Sequence, residues 1–358
     1  MFVRNAWYAA GFYDMFDENG FLSLVMLDQP VVVYRKSDGT LVALEDRCVH
    51  RRAALHQGRI EGDNVRCMYH GLLFDPGGKV LSIPGQDLVP ARACVRSFPV
   101  AERGGWIWVW MGAPEKADEA LIPPLFGVRD PEWMQPKSYL DYQAQYELIN
   151  DNLTDLSHIS YVHANSFGAD LTWAERRAEV SMIDRGVRAE RWLPNTPPIP
   201  PLGKAAAHSK TDQWIAVDFL VPGIFILYGE TYPVGMAEHF GFKKPTGIEP
   251  LFTHYSQQAV TPTGPTTSRY FYAWGPKASC ATPEEAEIMG GILQKAFLED
   301  KTIIEQQQKN VDLDPSHPVM PIAADKGVML FQRLMKKLME EEEADAAPPQ
   351  PVSAGAAR

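Results

Sequence analysis

Residues 47–71 read "RCVHRRAALHQGRIEGDNVRCMYHG", and the placement of thiols and imidazoles in this stretch decides the fold. Cys48 and His50 form a C-x-H pair, Cys67 and His70 form a C-x-x-H pair, and 16 residues separate the two. Each pair offers one thiolate and one imidazole. A structural zinc site more often takes a C-x-x-C pair from one hairpin and a spaced histidine pair from a helix. Here the donors are divided evenly between two loops.

That division suits a [2Fe-2S] cluster gripped between the loops, with Cys48 and Cys67 on one iron and His50 and His70 on the other, as in Rieske centres. Neutral imidazoles in place of two anionic thiolates raise the potential, so such a cluster accepts electrons from a weak donor and passes them on. The alternatives are a small zinc knuckle or two separately satisfied histidines. Gly71, Gly77, Gly78 and Gly85 follow closely and permit the positive φ angles of a tight covering loop. Arg47, Arg51, Arg52, Arg59 and Arg66 outnumber Glu61 and Asp63, a basic collar that suits either an acidic electron donor or plain solvation.

The surroundings are strand-rich. In "VVVYRKSDGTLVALED" two β-prone runs flank the Asp38-Gly39 turn, and "GGWIWVWMG" at 104–112 is another buried run. We therefore expect an all-β domain over 1–135, its boundary falling in the proline-rich connection that begins at Ala113. The second expected domain, 136–345, mixes helical stretches with strands such as "WIAVDFLVPGIFILYG" and "TTSRYFYAW", joined by "WLPNTPPIPPLGK" at 192–204. The order of elements is α+β. At "TPEEAE" Thr282 can cap a long helix, Pro283 suits its first position and Glu285 completes a capping box. The tail, 346–358, has almost nothing to bury and is expected to be disordered.

A second constellation lies in "DNLTDLSHISYVHANSFG", residues 151–168. On a helix turning about 100° per residue, Asn152, Asp155 and His158 share a side. His163 lies five beyond His158, so a helix end or bulge is needed to aim both imidazoles at one ion. Projecting the helix after Thr282 places Asp300 at the centre of an apolar stripe with Met289, Leu293, Ala296, Phe297, Ile303 and Ile304, and Glu299 near its edge. A carboxylate on a core-facing line needs a cation or hydrogen-bond donors; a buried ion pair is the alternative to a metal. His158, His163 and Asp300 together would form the two-histidine, one-carboxylate facial triad of a mononuclear non-haem Fe(II) oxygenase. His56, His208, His239, His254 and His317 lack such company and read as ordinary core or surface residues.

Composition narrows the classes. A chain of 358 residues has room for two domains, and 45% hydrophobic with 22% charged residues is a folded globular balance. A net charge of -11 argues against a nucleic-acid partner. The N-terminus lacks a basic segment followed by an unbroken apolar run, and no stretch approaches the roughly 20 apolar residues that span a bilayer, so no membrane partner and a cytoplasmic location are expected. Four cysteines are too few for a disulfide scaffold.

With both constellations in place, the chain resembles the oxygenase components of Rieske non-haem iron oxygenases, most closely the vanillate O-demethylase, toluenesulfonate methyl-monooxygenase and dicamba demethylase group. The resemblance runs through "NAWYAAGF", "CVHRRAALHQGRIEG", "CMYHGLLF", "IPGQ", "DNLTDLSHISYVHANS" and "FLEDKTIIEQQQKN", and is weak over about 170–260, where the substrate pocket is shaped. It implies an N-terminal Rieske domain, a C-terminal helix-grip catalytic domain, one Rieske [2Fe-2S] cluster, one mononuclear Fe(II) and a head-to-tail homotrimer. It also implies that Asp155 bridges His158 and His70 of the neighbouring subunit, and that Asn152 sits close to the iron. Gln258, Tyr272 and Phe297 are candidate pocket walls, with core packing the alternative for each.

No dinucleotide fingerprint follows a strand, so electrons are expected from a separate reductase, directly or through a ferredoxin. The expected reaction is mono-oxygenation of a small substituted aromatic with O2, either O-demethylation of an aryl methyl ether or hydroxylation of an aryl methyl group. Ring dioxygenation to a cis-dihydrodiol is the rival within the family, and a Rieske electron carrier without catalytic iron is the rival outside it.

Overall fold

The computed structural model describes residues 1–346, so the tail expectation for 346–358 falls, from 347 on, outside the described residues. The N-terminal region holds β1 (Trp7–Phe12), β2 (Phe21–Met26), β3 (Gln29–Arg35), β4 (Leu41–Glu45), β5 (Arg59–Glu61), β6 (Asn64–Arg66), β7 (Leu73–Phe74), β8 (Val80–Ser82), β9 (Ser97–Phe98), β10 (Val100–Arg103) and β11 (Trp106–Trp110). They pair as three antiparallel sheets, ordered β1-β11-β10, β2-β3-β4-β9 and β5-β6-β7-β8. Gly39, at φ 83°, makes the β3–β4 turn that the Asp-Gly pair announces.

Two apolar cores divide this region. Cys48 and Cys67 sit in the smaller one with Val32, Tyr34, Leu44, Leu55, Val65 and Phe74. The sheet of β1, β10 and β11 instead joins the larger core of the C-terminal region. All five residues of β11 are buried, including Trp106, Trp108 and Trp110. The Trp106 Nε1–H donates to Gln257 Oε1 at 2.9 Å, and the Thr261 hydroxyl donates to the Ala9 carbonyl at 2.7 Å. The two regions are thus joined by desolvated polar contacts as well as by apolar area.

The C-terminal region is built on one antiparallel sheet of β12 (Lys137–Tyr142), β13 (Glu179–Ile183), β14 (Gly186–Thr196), β15 (Thr211–Leu220), β16 (Ile224–Tyr232), β17 (Phe252–Gly264) and β18 (Thr267–Pro276). Its seven strands run in the order β12-β18-β17-β16-β15-β14-β13. Its helices are α1 (Tyr146–Thr154), α2 (Ile159–Val162), α3 (Thr172–Glu175), α4 (Met236–His239), α5 (Pro283–Leu313) and α6 (Lys326–Ala346). The architecture is α+β, an all-β N-terminal region followed by an antiparallel sheet gripping helices.

α5 starts as its sequence requires. The Glu285 N–H donates to the Thr282 hydroxyl at 3.2 Å, and the Thr282 N–H donates to Glu285 Oε2 at 2.8 Å. Met289, Leu293, Ala296, Phe297, Asp300 and Ile304 are its buried stripe. Ile303, expected at the stripe's edge, is instead 45% exposed, so the buried face of the helix is narrower than the projection allows. The proline-rich 192–204 segment is also not simply a joint: β14 continues through Pro194 to Thr196, with a register irregularity between Leu193 and Thr196. A proline lacking its N–H is accommodated at such a bulge. No helix among the described residues is long and apolar enough to cross a membrane.

Candidate metal centres and substrate pocket

The two cysteine–histidine loops fold alike. The Cys48 N–H donates to the Ala53 carbonyl and the Arg52 N–H to the Cys48 carbonyl; the Cys67 N–H donates to the Leu72 carbonyl and the Gly71 N–H to the Cys67 carbonyl. The fourth residue after each cysteine turns left-handed, Arg52 at φ 59° and Gly71 at φ 78°. Position 71 is closed to side chains, since a Cβ there would lie 2.7 Å from Pro84 Cγ. The repeated turn buries both thiols and leaves both imidazoles exposed, with ring centroids 4.5 Å apart. Burial pushes the Cys48 thiol up; the His50 N–H opposes this and the neighbouring Cys67 thiol adds to it. Two soft donors inside and two imidazoles outside fit a [2Fe-2S] cluster, and a metal bound there displaces the thiol protons.

The second site is assembled where α1 stops. Asp155 leaves helical geometry at φ -116°, ψ 108°, a 3-10 turn covers Leu156–His158, and α2 ends at His163. These breaks, absent from an ideal helix, turn the two imidazoles toward α5. His158 Nε2 lies 3.6 Å from Asp300 Oδ1 and His163 Nε2 lies 3.2 Å from Asp300 Oδ2. One donor atom from each of the three residues lies within 4.8 Å of the others, the spread of a candidate metal site.

The outer nitrogens are held from behind. The His158 Nδ1–H donates to the Asp155 backbone carbonyl at 2.6 Å, and the His163 Nδ1–H donates to Glu299 Oε2 at 3.0 Å. Both Nε2 atoms are therefore free to face a metal. The Asn152 amide donates to Asp300 Oδ1 at 3.2 Å. Burial pushes His158 down, whereas for His163 burial is outweighed by the Asp300 and Glu299 carboxylates and the ring is held above its usual value.

Asp155 corrects an expectation. Its carboxylate does not reach His158; it accepts from the Ser157 N–H at 2.8 Å and the Ser157 hydroxyl at 2.7 Å. Because α1 ends here, the carboxylate caps the next turn and the main-chain carbonyl takes the histidine. The carboxylate lines a separate cavity with Ser157, Arg176, Arg177, Arg191 and Lys326.

A cavity opens over the three donors, walled by Phe167, Trp173, Phe225, Trp274, Leu293 and Phe297. β17 supplies its polar side chains, His254, Ser256 and Gln258. Gln258 and Phe297 are thus wall residues. Tyr272 is not: it is buried 4.8 Å behind the Phe297 ring, which covers it.

His254, read from sequence as ordinary, is a pocket residue. The Trp274 Nε1–H donates to its Nδ1 at 2.7 Å. Indole nitrogen only donates, so the proton of the neutral imidazole sits on Nε2. Burial pushes this histidine down to about 3, so it stays neutral. A Cβ at Gly229, its partner across the strands, would lie 2.0 Å from Nε2. The missed signal was the alternation His254, Ser256, Gln258, which puts three polar groups on one inward face of a strand.

Residues 6–99 match the Rieske [2Fe-2S] domain family, and residues 142–341 match the vanillate O-demethylase oxygenase C-terminal domain. The chain belongs to the vanillate O-demethylase oxygenase family. This oxygenase is 36% identical to the toluene-4-sulfonate monooxygenase system iron-sulfur subunit of Comamonas testosteroni, over 97% of this chain and 100% of that one. It is 32% identical to the dicamba O-demethylase oxygenase component of Stenotrophomonas maltophilia, over 96% and 99%. The crystal structure of dicamba monooxygenase bound to dicamba superposes with a TM-score of 0.84 at 29% identity, covering 96% of this chain and 99% of that one. The protein is the oxygenase component of a Rieske non-haem iron monooxygenase, with a Rieske [2Fe-2S] cluster and a mononuclear iron as its cofactors.

Proposed function

We propose that the oxygenase acts on the methyl group of a small substituted aromatic acid. An aryl methyl ether gains a hydroxyl on its methyl carbon and collapses to a phenol and formaldehyde; an aryl methyl group becomes an alcohol. The observation that carries this reading is the cavity itself, apolar on most sides, with the three metal donors and the buried His254 among its walls. Apolar walls suit an aromatic ring, and a buried N–H suits its acidic substituent. The relatives named above fit this chemistry, being named for toluene-4-sulfonate and dicamba.

His158, His163 and Asp300 are the residues that would hold the mononuclear iron, and Cys48, Cys67, His50 and His70 those that would hold the cluster. When bound, these centres supply electron transfer and O2 activation. The chain's own side chains orient the substrate and exclude water: Phe167, Trp274 and Phe297 enclose the ring, Gln258 lines the cavity from β17 with its amide bonded to Ser256 and Tyr270, and Asn152 steadies Asp300.

In this reading three subunits assemble head to tail in the cytoplasm, and the Asp155 carboxylate meets the exposed His70 of the neighbouring subunit. The cavity beside Asp155 and the exposure of His70 support that pairing. Reducing equivalents come from a separate reductase, directly or through a ferredoxin.

The test is a panel of methoxylated and methylated aromatic acids with a surrogate reductase, following O2 consumption, formaldehyde and alcohol products. Formaldehyde or a benzylic alcohol is expected; a cis-dihydrodiol overturns mono-oxygenation. Iron analysis should show more iron per chain than the cluster alone accounts for.

A further inference from the structure

The two imidazoles of the mononuclear site are held by unlike groups. His158 Nδ1 meets a neutral carbonyl, that of Asp155, whereas His163 Nδ1 meets a carboxylate, that of Glu299, at 3.0 Å. Glu299 is itself pinned. The Ser166 hydroxyl donates to the same Oε2 at 2.6 Å, and the Ser166 N–H donates to the His163 carbonyl at 3.2 Å. One turn earlier on α5, the Lys295 ammonium donates to the Asn165 carbonyl at 2.9 Å, fixing the 163–166 turn against the helix. The Glu299 side chain keeps 25% of its exposure, so its charge costs less to maintain than that of Asp300, which keeps 5%.

Charge gives this contact its direction. A divalent cation held by two neutral imidazoles and the single Asp300 carboxylate keeps a net positive charge beside largely apolar walls, an expensive arrangement. A second carboxylate hydrogen-bonded to one imidazole offsets that charge and makes that ring the stronger donor.

We propose that Glu299 is a positioning residue for the mononuclear site: it fixes the His163 ring with Nε2 inward and supplies the second negative charge that a divalent ion there requires. This rests on the reading of His158, His163 and Asp300 as the metal donors. A purely structural rival has Glu299 only tying the 163–166 turn to α5, with no effect on the ion.

The test uses the full chain with its cluster retained and its mononuclear site emptied, titrated anaerobically with Fe(II) alone and, for a visible signal, with Co(II) alone. Glu299→Ala should weaken binding of both metals by about 10- to 100-fold, the range for removal of such a partner. Glu299→Gln keeps an acceptor for the Nδ1–H but no charge, and should recover only part of that loss. The cluster spectrum and the Tm of Glu299→Gln should match the wild type, which the structural rival predicts together with unchanged affinity. Wild-type affinity in Glu299→Ala overturns the proposal; full recovery in Glu299→Gln overturns its charge component. Where Glu299→Ala does not fold, unchanged affinity in Glu299→Gln overturns the charge component by itself. His163→Ala separates the two levels: wild-type protein that binds no better than His163→Ala refutes the underlying metal reading instead.

Discussion

Glu299 and Asp300 are consecutive residues of one helix that take opposite nitrogens of the same imidazole: Glu299 lies 3.0 Å from His163 Nδ1 and Asp300 lies 3.2 Å from its Nε2. Neighbouring positions on a helix diverge by about 100°, so the ring must stand between two side chains spread around the helix edge. A short 3-10 turn and a four-residue helix ending at His163 bring it there.

The Trp274–His254 bond is expected to set affinity for the acidic group. Trp274→Phe removes the donor that keeps the His254 proton on Nε2. Losing such a buried partner costs about 1–3 kcal/mol. We predict a rise of roughly tenfold in KM for an aromatic acid at nearly unchanged kcat, and a much smaller rise for the corresponding neutral amide. Steady-state kinetics on the acid and amide pair checks this; equal effects on both would remove His254 from acid recognition.

Gly229→Ala places a methyl where His254 Nε2 now lies. Forcing a side chain out of a packed site costs about 1–3 kcal/mol. The same change in a His254→Ala background should cost far less, since the obstructing ring is gone. Chemical denaturation of the two single variants and the double variant measures the coupling.

Asp155→Asn preserves the local turn, because the amide oxygen still accepts from the Ser157 N–H and the main-chain carbonyl still holds His158. We predict full occupancy of cluster and mononuclear iron with turnover nearly abolished. Iron and sulfide analysis beside an oxygen-consumption assay decides it; normal turnover would take Asp155 out of the route between subunits.

Asp151 has no part in the metal site and makes a separate pH prediction. Burial pushes its carboxyl up to about 6, the Gln332 amide opposing and Glu147 reinforcing the shift. A carboxyl raised in the fold binds its proton more tightly there than in the unfolded chain, so stability falls as pH rises from about 4 through 6. Asp151→Asn should match the wild type near pH 4 and exceed it at pH 7. Denaturation midpoints at the two values test the sign.

The residues that announced themselves in sequence share one property: their chemistry is visible in local spacing. Cys48 with His50, Cys67 with His70, and His158 with His163 are close in the chain, and Asp300 stands out as a charge on an apolar stripe. What spacing hides is the direction of a group once a helix ends. Spacing puts Asp155 on the side of His158, yet its carbonyl rather than its carboxylate makes the bond, because α1 stops one residue earlier. His254 gives no local signal, because its partners, Trp274 and Gly229, lie on neighbouring strands and are joined to it only by sheet register. Tyr272 failed as a wall for a related reason: it shares a strand face with Trp274, but Phe297 from α5 covers it.

The vacancy at position 229 also sets an order for change over evolutionary time. While His254 remains, a side chain at position 229 must displace its ring, so replacing the histidine first lowers the cost of filling the space opposite. The reverse order carries its strain at the first step, so the cheaper path to a reshaped pocket begins at His254.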